Sequence, residues 1–497
     1  MKTEQTSPVS LMALALVSKL VLTSVSCVLI ETVASVASSA YVALMEGQRA
    51  RPLQGHFNNV PVLHSNQPEI VTGPGILIDT AAGEAIAAET SRPLRNAAFT
   101  FDGEFAVHMH HKYYPSDASK LGGRRDRGTL TLALIATNPG LKPVTLRFDR
   151  GSLKNSFEAP YLPNKLMGVK PLGKRPWNTG PGDATAVQML RNQLDRDLPS
   201  TVVIPPRSRS VVVATALPAR GIANGLLRGR SDGRFHMAVV AAEEPNNDQD
   251  LLQVLAERRL APGRIYLNRI RQINNGTVFS RVGGVALGDR YTAHLKHDLQ
   301  HGPLHVPLTS TRRNTFGTRE VQVNPLASRM VDSALNNVGT YGVRFDVTLN
   351  LRGEGAHQLV LSHPVVSGKK TFTAFRGSLQ IQSGEDVQEV HVGLRSGESL
   401  AISDLLLQPG QSHPVRVSLV YPADATPGHL LSVVPVTQLA GLQQRQRRVK
   451  QAQDTIATTD NRQLQLPAAP PEALRVPQAT GMKPLPAVLP LLDAYRF

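Results

Sequence analysis

The stretch TLTLALIATNPGLKPVTLRF, residues 129–148, decides the fold class of the 497-residue chain. Apolar and polar side chains alternate on both sides of Asn138-Pro139-Gly140, a pattern that predicts two β-strands. Proline presets one turn dihedral and glycine accepts a positive one, so we expect the chain to reverse direction between the strands. A second stretch, STVVIPPRSRSVVVATALP at 200–218, predicts another strand pair around Pro205-Pro206.

Both stretches return in the second half of the chain. VRFDVTLNLRGEGAHQLVLSHPVV at 343–366 resembles the first, and DLLLQPGQSHPVRVSLVYP at 404–422 resembles the second. The two offsets, about 214 and about 203 residues, are similar, as expected of related domains. We therefore predict a mainly β protein built from two antiparallel β-sandwich domains with a few short helices and a disordered C-terminal tail.

Composition agrees with a chain that turns often, because it contains 39 glycines and 36 prolines. Two segments have a helical pattern, one beginning with Asp183 as an N-cap and one carrying a leucine stripe. The apolar face of each helix is expected to pack on a core.

The predicted organisation has six parts. They are an export signal at 1–40, an N-terminal extended segment with the first strands at 41–95, a first sandwich at 96–245 with a helical insertion near 183–197, a connecting region at 246–335 with a helix at 248–259, a second sandwich at 336–438 and a basic Pro/Gln-rich tail at 439–497.

The N-terminus has the pattern of an export signal. Residues 11–30, LMALALVSKLVLTSVSCVLI, are largely apolar, and small residues follow up to Ala40. Lys19 interrupts the apolar run, which favours a cleaved signal over a retained membrane anchor. Lipidation at Cys27, the one cysteine of the chain, is a third alternative. We expect an exported protein of the periplasm, the outer cell surface or the extracellular space.

The formal net charge of +16 and the pI of about 10.2 suit an anionic partner. The sequence contains no zinc-finger spacing, recognition-helix pattern or basic patch interleaved with aromatic residues, so sequence-specific nucleic-acid binding is not expected. Acidic polysaccharide or lipopolysaccharide is the expected partner. Contact with a membrane is expected only through the N-terminal signal, if that segment is retained.

Three histidines lie close together in FAVHMHHKYY at 105–114. In a strand, alternate side chains share a face, so His108 and His110 point one way while His111 points the other. Neutral imidazoles two residues apart can bind zinc if a third ligand reaches them. The candidate third ligands are His64, His236 and Asp102.

The same stretch has a simpler interpretation that needs no metal. In a half-buried strand, Phe105, Val107 and Met109 would enter the core and the imidazoles would lie at the sheet surface. We favour this interpretation, with no cofactor, and keep zinc at His108 and His110 as the alternative.

Glycine-rich phrases at 73–77, 180–183 and 281–289 match neither the phosphate-binding P-loop nor the dinucleotide-binding pattern, and we interpret them as turns. The chain also has no G-x-S-x-G elbow and no carboxylate pair arranged as in a glycosidase. No catalytic or cofactor-binding residue is therefore predicted.

Eight short sequence motifs occur in the same order as in a known protein family. Among them are VPVLHSNQPEIV at 60–71, TGPGDATAVQML at 179–190, RVGGVALGD at 281–289 and YPADATPG at 421–428. Over residues 55–436 the chain resembles an uncharacterised family of cyanobacterial proteins, domain of unknown function 3370. The resemblance implies export and no established activity. It also implies a histidine pair at His110 and His111, and it does not extend to His108.

The leading hypothesis is a non-enzymatic exported protein that binds or structures an anionic component of the envelope or extracellular matrix. The rival hypothesis is a metal-assisted extracellular hydrolase that uses His108 and His110. A third is an assembly factor that offers an unprotected sheet edge to client strands.

Overall fold

A computed structural model of the chain describes residues 50–123, 127–162, 166–174, 179–366, 368 and 370–438, with single residues at 440, 441, 444, 448 and 451. The export signal predicted at 1–40, with Cys27, lies outside the described residues. So does the predicted tail at 439–497, apart from those five single residues. Among the described residues, no helix is long and apolar enough to span a membrane.

The structure is mainly β, as predicted, and its described residues form 26 strands and three short α-helices before residue 436. The strands are β1 His56–Phe57, β2 Pro61–Ser65, β3 Ile70–Val71, β4 Gly75–Asp79, β5 Glu84–Ile86, β6 Pro93–Arg95, β7 Glu104–Tyr113, β8 Thr129–Asn138, β9 Val144–Asn155, β10 Gly168–Pro171, β11 Thr201–Ile204, β12 Ser208–Pro218, β13 Ile222–Ser231, β14 His236–Glu243, β15 Gly283–Leu287, β16 Arg290–Asp298, β17 Leu304–Leu308, β18 Asn324–Arg329, β19 Asn336–Asn337, β20 Arg344–Arg352, β21 Gly355–Ser362, β22 Thr373–Ser383, β23 Asp386–Arg395, β24 Ser399–Leu407, β25 His413–Val420 and β26 His429–Pro435. The helices are α1 Pro181–Leu190, α2 Asp248–Ala256 and α3 Ile270–Asn274.

All the strands except β5 and β6, which form a separate two-stranded sheet, belong to two sandwiches, each with a large and a small sheet. The first large sheet has the order β11-β9-β13-β7-β2-β15-β18-β19, with β3 also on β7, and the first small sheet has the order β12-β8-β14-β4. The second large sheet is β1-β16-β20-β25-β22-β23-β10, and the second small sheet is β17-β26-β21-β24. Most pairs are antiparallel, but β2 and β3 on β7 and β16 on β20 are parallel. Each sandwich encloses its own apolar core.

The two sandwiches share segments of the chain. Strands β15 and β18, from the region predicted as a connector at 246–335, lie in the first large sheet, whereas β16 and β17 from the same region lie in the second sandwich. The N-terminal strand β1 and the strand β10 also join the second large sheet. The segment 246–335 therefore contributes to both cores.

The strand pairs around the predicted turns are arches: the chain reverses direction as predicted, but the two strands lie in different sheets and do not pair with each other. Strand β8 lies in the first small sheet and β9 in the first large sheet, so the chain crosses the core at Asn138. The side-chain amide of Asn138 is buried and lies 2.7 to 3.0 Å from the carbonyl oxygens of Lys142, Ile204 and Pro205. It thereby ties this arch to the next one, at Pro205-Pro206.

The similar stretches in the two halves have the same pairing. In the first sandwich β8 pairs with β12 and β9 pairs with β11. In the second, β20 pairs with β25 and β21 pairs with β24. In each unit of four strands, the first and fourth strands along the chain pair in one sheet, and the second and third pair in the other sheet. Two related domains are expected to share this arrangement.

Two of the three glycines of 281–289 lie in a strand, and their interpretation as a turn is wrong, whereas Gly288 has a positive φ of 105° in the turn between β15 and β16. Gly283 and Gly284 belong to β15. A Cβ atom on Gly284 would come within 2.3 Å of the carbonyl oxygen of Ser328, so the absence of a side chain allows the neighbouring strand to approach.

Helix α1 begins earlier and ends sooner than the segment 183–197 predicted. Pro181 opens it, which suits the first turn because a missing N–H there leaves no hydrogen bond unmade. Helix α1 contacts β9 and β13 of the first large sheet and β22 and β25 of the second. Its Ala186, Met189 and Leu190 pack with Leu226 and Val420. The outer faces of the two large sheets therefore meet across α1.

Candidate functional site

The histidine-rich strand β7 lies in the middle of the first large sheet and is buried on both faces. Phe105, Val107 and Met109 enter the core, as predicted. His108 and His110 are each 1% exposed, so the prediction that the imidazoles lie at the sheet surface is wrong. Their face is covered because the second half of the chain packs on it: a Cβ atom on Gly342 would lie 3.3 Å from the Cβ of His108.

His108 contacts His64 on the parallel neighbour β2. The two residues are in register, their Nδ1 atoms are 3.2 Å apart and their rings meet edge to face. Burial lowers the pKa of His64 to about 3 and that of His108 well below its usual value. Both imidazoles are therefore neutral, with one donating and the other accepting the proton between them.

His110 and His111 have separate hydrogen-bond partners. His110 Nδ1 donates to Asn224 Oδ1 at 3.0 Å, and the amide of Asn224 donates in turn to Thr185 on α1. His111 Nδ1 donates to the carbonyl oxygen of Pro68, and its Nε2 accepts from Ser65 Oγ, both at 2.8 Å. Burial lowers the pKa of His110 and lowers that of His111 to about 3.

One of the three candidate zinc ligands, His64, reaches His108. His236 Nδ1 donates to the carbonyl oxygen of Phe99 at 2.9 Å, and the 63% exposed side chain of Asp102 lies 3.8 Å from Arg234. Within the described part of the chain, no group of three or more His, Cys, Asp and Glu side chains is arranged to hold a metal ion. Zinc at His108 and His110 stays a prediction.

A second buried polar group joins α1 to the second large sheet. Asp183 Oδ2 accepts from Ser378 Oγ and from His391 Nδ1, each at 3.0 Å. Ser378 lies on the Nδ1 side of His391, whereas a nucleophilic serine contacts the nitrogen that is not bound to the carboxylate. The group therefore lacks the geometry of a catalytic triad, and Asp183 serves this contact instead of capping α1.

A surface cleft of about 220 Å³ opens beside the end of α1, on the outer face of the second large sheet. We call it the arginine cleft. Residues from four strands and from the segment after α1 line it: Asn192, Arg290, Arg344, Gln380, Gln382, Arg416 and Ser418.

Three guanidinium groups of the arginine cleft surround one carboxylate, that of Asp346. Arg290, Arg344 and Arg416 lie 3.4, 3.0 and 3.2 Å from its oxygens, and Ser418 Oγ donates to it at 2.6 Å. Burial tends to raise the pKa of Asp346, but the Ser418 hydroxyl and the arginines outweigh it and hold the pKa below its usual value. The cluster therefore carries a net charge of about two positive units.

The arginine cleft lies where the two sandwiches meet. Arg344 Nη1 donates to the carbonyl oxygen of Leu190 at 3.0 Å, at the negative end of the α1 dipole. Asn192 Oδ1 accepts from Arg150 of the first large sheet at 2.6 Å. Sequence reasoning missed this site. The sequence signal that could have indicated the site is strand alternation, which puts Arg344 with Asp346, and Arg416 with Ser418, on one face of each strand.

These features define a mainly β protein of two interlocked sandwiches with a cationic cleft at their junction. The family model "Protein of unknown function (DUF3370)" matches residues 48–435, and the chain belongs to that family, which confirms the predicted resemblance.

Comparison with curated proteins finds no match. Among solved structures, the CUB1-EGF-CUB2 domain of human MASP-1/3 is 11% identical, with 61% of this chain and 92% of that chain covered and a TM-score of 0.16. The CUB1-EGF-CUB2 domains of rat MASP-1 are also 11% identical, with 75% and 99% covered and a TM-score of 0.15. Neither likeness bears on the fold or function of this chain.

Proposed function

We propose that the protein is an exported, non-enzymatic binding protein, and that its arginine cleft holds an anionic group of an acidic polysaccharide or a lipopolysaccharide. One observation carries the proposal: three guanidinium groups converge on a single carboxylate in an open cleft. Export rests on the apolar leader at 11–30, which lies outside the described residues.

The chemistry of the arginine cleft suits an anion. Guanidinium groups present paired donors that match carboxylate and phosphate oxygens. The side chains of Arg290 and Arg416 are 41% and 48% exposed, so each keeps donors directed to solvent while it contacts Asp346. The amides of Asn192, Gln380 and Gln382 add neutral donors and acceptors around the charge.

The same chemistry argues for binding rather than catalysis. Arginine does not exchange protons near neutral pH, and Asp346 is held ionised by its partners. No imidazole is among the described residues that line the arginine cleft, and His108 and His110 are buried on β7. The arginine cleft therefore contains charge and hydrogen bonds without a group suited to proton transfer.

Isothermal titration with a galacturonate oligomer, an acidic polysaccharide of known charge, tests the proposal. Arg416→Gln should weaken binding about ten- to a hundred-fold, because a charge-assisted hydrogen bond contributes about 1.5 to 3 kcal/mol. Arg271→Gln is the matched control, since Arg271 is exposed on α3 and does not line the arginine cleft. Equal affinities of the two variants, or no binding by the wild-type protein, would contradict the proposal.

A further inference from the structure

We infer that the ligand is an extended polyanionic glycan that lies across several strands of the second large sheet and is anchored, not wholly contained, in the arginine cleft. The inference rests on the proposed function and concerns the same site. It adds that the sheet surface beside the cleft binds neighbouring sugar units.

The outward face of the second large sheet follows from the positions of its core residues. Tyr291, Phe345, Leu419 and Ile381 enter the apolar core, so the alternate side chains of their four strands face outward. Strand register arranges those outward side chains in rows that run across the strands. One row is Thr292, Asp346, Ser418 and Gln380; the next is His294, Thr348, Arg416 and Gln382; the third begins with Lys296 and Asn350.

The first row is closed at one end by the segment that follows α1. Gln380 pairs with Glu389 on the next strand, and Arg191 binds Glu389, with Nη2 2.6 Å from Oε2. Because this ion pair stands at the edge of the arginine cleft, a ligand has little room to extend in that direction. The cleft is bounded on the α1 side.

The second and third rows are open to solvent. His294, Lys296, Gln382 and Arg416 are exposed, and Thr348 and Asn350 are partly exposed. We call His294, Thr348, Lys296 and Asn350 the polar strip. It continues directly from Arg416 and Gln382, which line the cleft. Four strands at about 4.8 Å spacing give a row of roughly 14 Å, longer than one sugar ring.

The side chains of this surface indicate what kind of polymer fits it. The arginine cleft and the polar strip together contain four cationic side chains, three of which contact the buried carboxylate of Asp346, and the remaining side chains are amides, hydroxyls and one imidazole. None of these residues is Phe, Tyr or Trp, so the surface lacks the rings on which bases of single-stranded nucleic acid stack. Alternating charge and hydroxyl recognition favours a glycan that carries anionic groups along its length.

A length series of galacturonate, from the monomer to the octamer, tests the inference by titration calorimetry. A repeating ligand gains affinity in proportion to its number of sugar units for statistical reasons alone. If neighbouring units also bind the sheet, the affinity should rise with length more steeply than this statistical gain. Lys296→Gln combined with Asn350→Ala should reduce the gain to the statistical value while leaving monomer affinity unchanged. Arg271→Gln should leave both unchanged.

The outcomes separate the inference from the proposed function. A monomer that binds as tightly as the octamer, and is weakened by Arg416→Gln, overturns the extended ligand and supports the cleft. Failure of every galacturonate to bind overturns both. Single-stranded DNA of equal charge binding as tightly as the octamer overturns the choice of a glycan.

The lipid-linked source is tested with lipopolysaccharide carrying or lacking its polysaccharide chain. Tighter binding of the form that carries the chain supports the inference, and equal binding of the two forms overturns it.

Discussion

Arg344 and Asp346 lie two residues apart on β20 and form an ion pair in which Nε is 3.0 Å from Oδ2. Strand alternation puts both on the outward face, while Phe345 between them enters the core. The same guanidinium contacts the end of α1 through Leu190. Arg344 therefore contacts both the carboxylate beside the arginine cleft and the helix at the junction of the two sandwiches.

Replacing Asp346 with asparagine should tighten anion binding and destabilise the fold. The change removes the single carboxylate from among three guanidinium groups, so the cleft gains one net positive charge. It also breaks a buried ion pair, which costs about 3 to 5 kcal/mol. Titration with a galacturonate oligomer and urea unfolding measure the two effects. Asp102→Asn, an exposed carboxylate on the first sandwich, should change neither, and weaker binding by Asp346→Asn would be evidence against an anionic ligand.

Asp183→Ala should destabilise the contact between α1 and the second large sheet far more than Ser378→Ala. The first change leaves His391 without its buried carboxylate partner, whereas the second removes one neutral donor worth about 1 kcal/mol. Urea unfolding of both variants tests the order of the two effects. The control is Asp197→Ala, because Asp197 is exposed beyond the end of α1. Equal stability of the Asp183 and Asp197 variants would show that this contact does not support the junction.

Lowering the pH should destabilise the folded protein steeply below about pH 6.5. Burial lowers the pKa of His64 and His111 to about 3 and that of His305 and His363 to about 4. Because the unfolded chain binds protons at these four sites near pH 6.5 and the folded chain does not, stability is present above that pH and is lost as pH falls toward the folded values. Because pH 5 lies below the unfolded value and above the folded values, each site loses stability there, and the four together lose on the order of several kcal/mol.

Thermal unfolding between pH 7.5 and 4.5 measures this loss. A single substitution, His305→Gln, should flatten the dependence by about one proton relative to the wild-type chain. A melting temperature that stays constant over the range would contradict the neutral burial of these imidazoles.

Purified mature protein should contain far less than one zinc per chain. The Nδ1 atoms of His64 and His108 lie 3.2 Å apart, and His110 Nε2 lies 3.8 Å from Asp424, whose carboxylate is also 3.7 Å from the Lys112 ammonium. This ammonium already supplies the positive charge that a metal ion would bring. Elemental analysis decides the question. One zinc per chain that is lost in His108→Gln but retained in His236→Gln would contradict this prediction and support the hypothesis of a metal-assisted hydrolase.

The strands were predictable from the sequence because alternation is a local property. The pattern around Asn138 identified β8 and β9, but it could not show that the two strands lie in different sheets. That arrangement depends on hydrogen bonds from Asn138 to Ile204 and Pro205, more than sixty residues away. A turn signal specifies a change of direction and leaves the pairing partner open.

The candidate sites show the same limit. Alternation correctly sent Phe105, Val107 and Met109 into the core. His108 and His110 are buried because α1 and the second half of the chain pack on their face of β7. The sequence pattern within β7 does not indicate this packing. The arginine cleft gathers Arg290, Arg344 and Arg416 from three strands, and only the strand order brings them together.

The salt dependence of glycan binding tests the central claim most directly. If the arginine cleft recognises charge, the affinity for a galacturonate octamer should fall steadily as salt rises through a few tenths molar, because the screening length shrinks from about 10 Å at 0.1 M to about 3 Å at 1 M. Arg416→Gln should show a shallower dependence than the wild-type protein, and Arg271→Gln the same dependence. Binding that does not change with salt, or no binding at low salt, would contradict the account.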